Sequence, residues 1–495
     1  FFPLIVYSQS WNKIGGDIIG EASADKSGES ISLSGDGLRI AIGSHLNDGG
    51  GIGNGHVRVY RLSGGISWEQ VVNPLPGGPG DIVGENNADR FGRTVSLNYD
   101  GTVLAAGAIW NDGDGGLANR VGHVRVYKWD GSDWVQRGAD IDGEDAEDQS
   151  GYVSLSSDGT VLAIGAPQND GNGINAGHVR VYHWDGTNWV QRGADIDGEA
   201  AGDLSGNYLS LSDDGSTVAI GAYRNDGNSG SSTDDRGHVR IYHWDGTNWV
   251  QRGADIDGEA EKDYSGYSVS MNNDGTIVAI GAKQNDGTTG NDLDNRGHVR
   301  VYKWDGSNWV QRGIDLDGES TQDESGASVS INNDGDWIII GAQFADAPGK
   351  GNAGHARVYR WDGTAWSKIG DDIDGEAGDQ LGNAVTMNSL GSAVALSSLD
   401  HDPFPKSDPG IVRVFTSPQP YLSISVSPSS ISEASGSSTI TANSSVYTSD
   451  VTVKINASST AIGGGRDYTL DAYEITVPAG ATSASITLNA IQDAL

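Results

Sequence analysis

Cysteine is absent from the 495 residues, which excludes disulfides and thiolate-bound metals and leaves the redox compartment open. Basic residues are few: 31 Lys and Arg face 67 Asp and Glu, a net charge of −36. A polyanion repels phosphate, so nucleic acid and anionic membrane surfaces are excluded as expected partners. Divalent cations and a saline medium suit such a chain better. Long hydrophobic runs are also missing. The longest, around Trp337–Ala342, falls far below the ~20 residues of a membrane-spanning helix. No segment has a helical apolar period, and there is no Gly-x-Ser-x-Gly elbow and no His-x-x-x-His pair.

What is present is a repeat. Gly-His-Val-Arg followed by Val-Tyr or Ile-Tyr begins at Gly55, Gly122, Gly177, Gly237 and Gly297. It returns as Gly-His-Ala-Arg-Val-Tyr at Gly354 and as Gly-Ile-Val-Arg-Val-Phe at Gly410. The intervals are 67, 55, 60, 60, 57 and 56 residues. A period this regular marks one supersecondary unit copied seven times, whose copies must stack to bury their apolar faces. In the copy from Ala194, alternation and turn chemistry predict strands at 208–211, 218–222, 238–244 and 249–252, with hairpin turns at Asp214-Gly215 and Asp245-Gly246. Four antiparallel strands, seven times over, predict an all-β fold: a seven-bladed β-propeller over residues 1–416. The N-terminal Ile5-Val6-Tyr7 and Trp11-Asn12-Lys13 match the tail of a repeat, and the seventh copy lacks its Trp strand. The N-terminal strand is therefore expected to close the last blade, hiding two sheet edges.

Within the third strand, the Arg is expected between blades, paired with a recurring acid. The six equivalent histidines (His56, His123, His178, His238, His298, His355) are expected one per blade in a structural role. Trp129, Trp184, Trp244, Trp304 and Trp361 precede Asp-Gly turns and read either as blade packing or as stacking platforms for carbohydrate. The motif Asp-Ile-Asp-Gly-Glu-x-x-x-Asp places acids at relative positions 1, 3, 5 and 9, partly like an EF-hand loop without its closing Glu. Its acids, Asp195, Asp197, Glu199 and Asp203 in one copy and Asp255, Asp257, Glu259 and Asp263 in another, are the candidate calcium ligands. The alternative is that they cap turns and pair the buried Arg residues. The same two readings apply to the Asp of the Asn-Asp-Gly element (Asp48, Asp112, Asp170, Asp226, Asp286, Asp346, Asp400).

Phe91-Gly92, Gly165-Ala166-Pro167 and several Gly-Ala pairs make the blade resemble the FG-GAP repeat of integrin α-subunit propellers and bacterial and algal surface proteins. The calcium loop of that family is shortened here to turns such as Ser156–Gly159 and Asn272–Gly275, which offer too few oxygens. After a linker at 417–420 the composition turns to Ser, Thr and Ala. Residues 421–495, with Ile431-Ser432-Glu433, Gly464–Thr469 and Val477–Gly480, resemble a Calx-β domain, which implies an immunoglobulin-like β-sandwich. Glu433, Asp467 and Asp493 match its acidic, calcium-binding positions, and one strand expected after Asp493 is missing. These resemblances imply a secreted or cell-surface structural or adhesive protein, a subunit of a filament, sheath or appendage, with copies of itself or other matrix proteins as partners. A carbohydrate-binding propeller is the alternative, and a non-catalytic propeller region of a larger surface enzyme a further one. No catalytic set stands out, so the chain is expected not to be an enzyme.

Overall fold

The computed structural model describes residues 10–49, 51–71, 80–113, 119–227, 233–287, 294–402 and 406–417, and further on 422–427, 437–444, 451–454, 468–470, 474–478 and 483–490. The first group forms seven sheets, numbered here as blades 1 to 7 from the sheet that begins with Ser30–Leu33. This is a seven-bladed propeller, and the described residues contain no helix long and apolar enough to cross a membrane.

Blade 4 shows how the sequence builds one unit. Tyr208–Leu211, Thr217–Ala222, His238–Trp244 and Trp249–Gln251 follow one another as an antiparallel meander. The first hairpin turns at Gly215, whose φ of 65° a side chain would resist, and Asp214 accepts hydrogen bonds from Ser212 Oγ and Ser216 N. Each sheet also has a fifth strand that the sequence reading did not foresee. Ile256–Asp257, from the acidic motif, turns back and pairs with His238–Val239, on the inner half of the third strand. The third strand is longer than the fourth, so its inner half is left free to accept this addition.

The core lies between blades. Each of seven apolar clusters takes side chains from two neighbouring sheets, as where Val161, Val179 and Ile196 of blade 3 meet Leu211, Val218 and Ile220 of blade 4. Backbone contact near the axis is closer still. At Gly221 of blade 4 a methyl group would overlap the carbonyl oxygen of Gly266 in blade 5, and the same holds at Gly165 against Gly206. A ring of side-chain bonds follows this seam. Each first strand donates an N–H to a hydroxyl on the first strand of the preceding blade: Leu97 N to Ser32 Oγ, Leu211 N to Ser154 Oγ, Met271 N to Ser210 Oγ, and Leu33 N closes the circle on Thr386 Oγ1.

Closure follows the sequence expectation. Asn12–Lys13 pairs with Phe415 and Thr416, and Ile18–Ile19 pairs with Ile411 and Val412, completing blade 7. Trp11 packs in the core between blades 6 and 7 and donates its Nε1 proton to Ile369 O at 3.0 Å. The Ile5–Tyr7 part of the expected closure lies outside the described residues.

The C-terminal residues form a four-stranded sheet (Leu422–Ser427, Ser437–Ser444, Ser483–Ala490, Tyr468–Leu470) and a pair (Val451–Lys454, Glu474–Val477). Ile440, Ala442, Ile475 and Val477 share one small apolar cluster. Glu433, Asp467 and Asp493 lie outside the described residues.

Two outcomes follow. Gly221→Ala must push blades 4 and 5 apart and should lower stability by roughly 1–3 kcal/mol in denaturant titrations. The interblade tyrosines resist ionisation because burial opposes the phenolate; for Tyr127 the value is pushed up to about 12. A raised folded value means that this stability is complete below pH 10 and is lost as pH rises toward 12, so melting temperature should fall across that window.

Candidate functional site: the axial cavity

The seven first strands run beside the propeller axis and enclose a cavity of about 280 Å3. Two positions per blade supply most of its wall. The residue after the strand-initial glycine is Glu29, Arg93, Tyr152, Asn207, Tyr267, Ala327 or Asn383, and all seven line the cavity. The next residue adds Ser30, Thr94, Tyr208, Ser268 and Ser328, and Gln343 enters from the end of a second strand. Residues on either side of these positions are nearly constant from blade to blade, so it is here that the repeat breaks.

Two of the seven first strands carry a β-bulge. In blade 2 the register shifts between Phe91 and Thr94, and in blade 5 between Ser265 and Ser268. The bulged residues are Arg93 and Tyr267, both on the cavity wall. A bulge re-aims side chains and is frequent beside functional sites.

One ion pair stands in the cavity wall. Arg93 Nη1 binds Glu29 Oε1, and His45 Nδ1 lies 3.9 Å from Glu29 Oε2. Burial pushes His45 down to about 4, with Arg90 and Lys26 adding to the effect, so the ring is neutral at pH 7. Next to the wall residue Tyr267, Lys283 Nζ stands 3.9 Å above its ring and 3.4 Å from Glu324 Oε2. Burial opposes the Lys283 charge, but Tyr267 and Glu324 outweigh it and raise its value. Tyr208 packs on Tyr267 with centroids 4.8 Å apart, and burial raises the hydroxyls of Tyr208 and Tyr152. The result is a polar cup with fixed charges, aromatic faces and amide groups.

None of the acids named from sequence reaches this cavity. The structure divides the motif residues among other positions on the blades' outer parts. Asp195 lies with Glu144 and His178, whereas Glu199 lies with His238 and Asp255, and Glu259 with His298 and Asp315. Asp203 and Asp263 are buried and structural: each accepts hydrogen bonds from a backbone N–H (Ala200, Ala260) and from a loop amide (Asn225, Asn285). Asp197 and Asp257 present their backbone carbonyls to Arg240 and Arg300. Acids of one motif are thus split between neighbouring sites because the strand Ile196–Asp197 separates Asp195 from Glu199. The Asn-Asp-Gly acids cap their own loops, as where Asp170 accepts from Asn175 N at 2.8 Å. The tryptophans before Asp-Gly turns pack in pairs, Trp244 on Trp249 at 5.5 Å, and Arg192 lies 4.8 Å over Trp244.

Sequence reasoning passed over the axial residues because attention went to what repeats. The signal that finds them is the opposite: the one position after the strand-initial Gly where seven aligned copies read Glu, Arg, Tyr, Asn, Tyr, Ala and Asn.

No family profile and no curated protein matches the sequence. Among solved structures, hydrazine synthase of Kuenenia stuttgartiensis aligns at 11% identity and a TM-score of 0.47, over 77% of this chain and 94% of that one. A periplasmic gluconolactonase of Pseudomonas aeruginosa aligns at 13% and 0.45, over 71% and 86%. A prolyl endopeptidase aligns at 10% and 0.43, over 90% and 56%. The seven-bladed propeller rests on the sheet topology, without a matching FG-GAP or Calx-β family to refine it. The expectation that the chain is not an enzyme is corrected by these neighbours, which are enzymes. What they share with this chain is the fold; their substrates are their own.

Lys283→Met would leave Glu324 without its cation and should cost roughly 1–3 kcal/mol in stability. Adding Glu324→Leu should recover most of that loss, a coupling that a double-mutant cycle reads directly.

Proposed function

We propose that this propeller binds a small polyhydroxylated molecule, of the sugar or sugar-acid class, in its axial cavity. The observation that carries the reading is the convergence of every blade's variable position on one cavity in an otherwise repetitive ring. A purely architectural ring has no need to diversify those positions. The volume lies near the lower end of the ~300–1,000 Å3 range of small-molecule sites. Asn207, Asn383 and Gln343 offer paired donors and acceptors, the tyrosine rings offer faces for C–H stacking, and Arg93 offers a fork that matches a carboxylate.

Turnover of the bound molecule is a second reading, favoured by the bulges at Arg93 and Tyr267 and by the Lys283–Tyr267 contact. Glu29 would then be the proton-transfer candidate. The structural or adhesive role expected from sequence rests on the regular outer surface and its charge; the axial diversity favours ligand binding over it. Export to a saline, cation-rich medium belongs to the same reading, as does a separate immunoglobulin-like module at 421–495. Calcium is not part of it, since Glu29 and Glu324 are each already paired with a cation.

Calorimetric titration with a panel of monosaccharides and aldonic acids, in chelator, tests the proposal. Saturable one-to-one binding that weakens at least tenfold in Arg93→Ala supports it. Binding unchanged by Arg93→Ala, or lost instead on Trp244→Ala, overturns it. Following the bound ligand by NMR over hours then reads turnover.

A further inference from the structure

A second set of sites lies away from the axis, at the boundaries between blades. At five boundaries a Glu from the end of one blade meets a His and an Asp of the next: Glu199 with His238 and Asp255 is representative, and the three ligand atoms lie within 4.8 Å of one another. The imidazole is 1–2% exposed in all five. Its Nδ1 stands 3.8 Å from Glu199 Oε2 in this copy, and 3.8 Å from Asp81 Oδ2 and Asp140 Oδ2 at the corresponding points of two others. That is too far for a hydrogen bond. Nε2 of each ring is buried without a partner as well.

Both carboxylates are held by one oxygen and free at the other. Asp255 Oδ1 accepts from Gln251 Nε2 at 2.6 Å, and Glu199 Oε1 faces Arg240 Nη1 at 3.7 Å. The oxygens nearest Nδ1 are the other ones: Glu199 Oε2 here, and Asp81 Oδ2 and Asp140 Oδ2 at their own boundaries. The same division of labour recurs at Asp81, Asp140, Asp195 and Asp315, each gripped by its own Gln. Three ligand atoms thus lie within 4.8 Å of one another, behind a Glu that is about half exposed and leaves room for water.

We propose that these five boundaries are divalent transition-metal sites of the zinc class, each holding one ion through an imidazole nitrogen, two carboxylate oxygens and water. One nitrogen with two carboxylates and an open position suits such an ion, whereas calcium takes six to eight oxygens. Ligand atoms about 2.0–2.2 Å from a tetrahedral ion lie roughly 3.3–3.6 Å apart, so the pairs at 3.8 Å close by a few tenths of an ångström and the widest pairs by about one ångström. The metal–nitrogen bond gives the buried ring a close partner at Nδ1, where the nearest carboxylate oxygen otherwise stands beyond hydrogen-bond reach. The ring is ready to serve: burial first, then the neighbouring Arg240, pushes His238 down to about 4, so it is unprotonated at pH 7.

Two boundaries depart from the pattern. Where blade 6 has His355, Lys368 replaces the Gln and takes Asp372 at 2.6 Å. At blade 7, Ile411 stands in place of the His, Asp17 pairs with Arg413, and Glu376 pairs with Lys350. An added cation or a missing nitrogen removes the site, so five ions per chain are expected.

The full chain, equilibrated with zinc and dialysed against metal-free buffer, is analysed for metal by mass spectrometry. About five zinc per chain, falling to about four in Glu199→Gln and in His238→Ala, supports the proposal. Glu199→Gln changes a half-exposed group and keeps the test valid if His238→Ala does not fold. With cobalt as the probe, each lost site should also remove about a fifth of the visible absorbance. No retained zinc, a count unchanged by both substitutions, or retention of calcium but not zinc overturns it.

Discussion

The propeller depends on how closely two backbones approach beside its axis. Where Gly221 lies on the carbonyl of Gly266, and Gly165 on that of Gly206, no side chain separates neighbouring sheets. This contact lets the seven sheets converge inward while Val, Ile and Leu fill the widening space outside it. The hydroxyl ring from Ser32 to Thr386 sits on the same seam and fixes the register of each sheet on the next. With that register fixed, the residue after each strand-initial glycine has one place to go, the axial cavity.

Much of this was legible from the chain. Period gave the blade count, Asp-Gly turns gave the hairpins, and the mismatch between Trp11 and the truncated seventh copy gave the closure. In blade 4 all four predicted strands fall within a residue of the observed ones. The fifth strand escaped notice because Ile256–Asp257 is two residues long and carries no alternation to read. The acidic motif misled for a related reason. Spacing of 1, 3, 5 and 9 looks like one loop, but a strand inside it sends Asp195 and Glu199 to opposite boundaries. Assigning the histidines one per blade was sound; what spacing could not show was that a Glu of the preceding blade arrives beside each of them.

The molecule therefore separates two kinds of chemistry by radius. Near the axis, seven differing residues make one asymmetric cup. Farther out, five equal clusters of Glu, His and Asp repeat around the ring, and the Trp pairs and capped loops repeat with them. The acidic excess belongs to the outer zone, where Arg240 and its equivalents neutralise only part of it. In the cup, by contrast, Arg93 balances Glu29, and beside it Lys283 balances Glu324.

The seam in blade 7 has a consequence for heredity. Residues 184–200 and 244–260 are identical, so unequal exchange between such stretches would insert or delete one whole copy. Asn12–Lys13 needs only an unfinished edge, and the final copy would offer one whatever the tally. Nothing in the clasp counts to seven. Ring size is left to the wedge angle at the glycines, and a lineage that altered them could change the number of copies without inventing a new fastening.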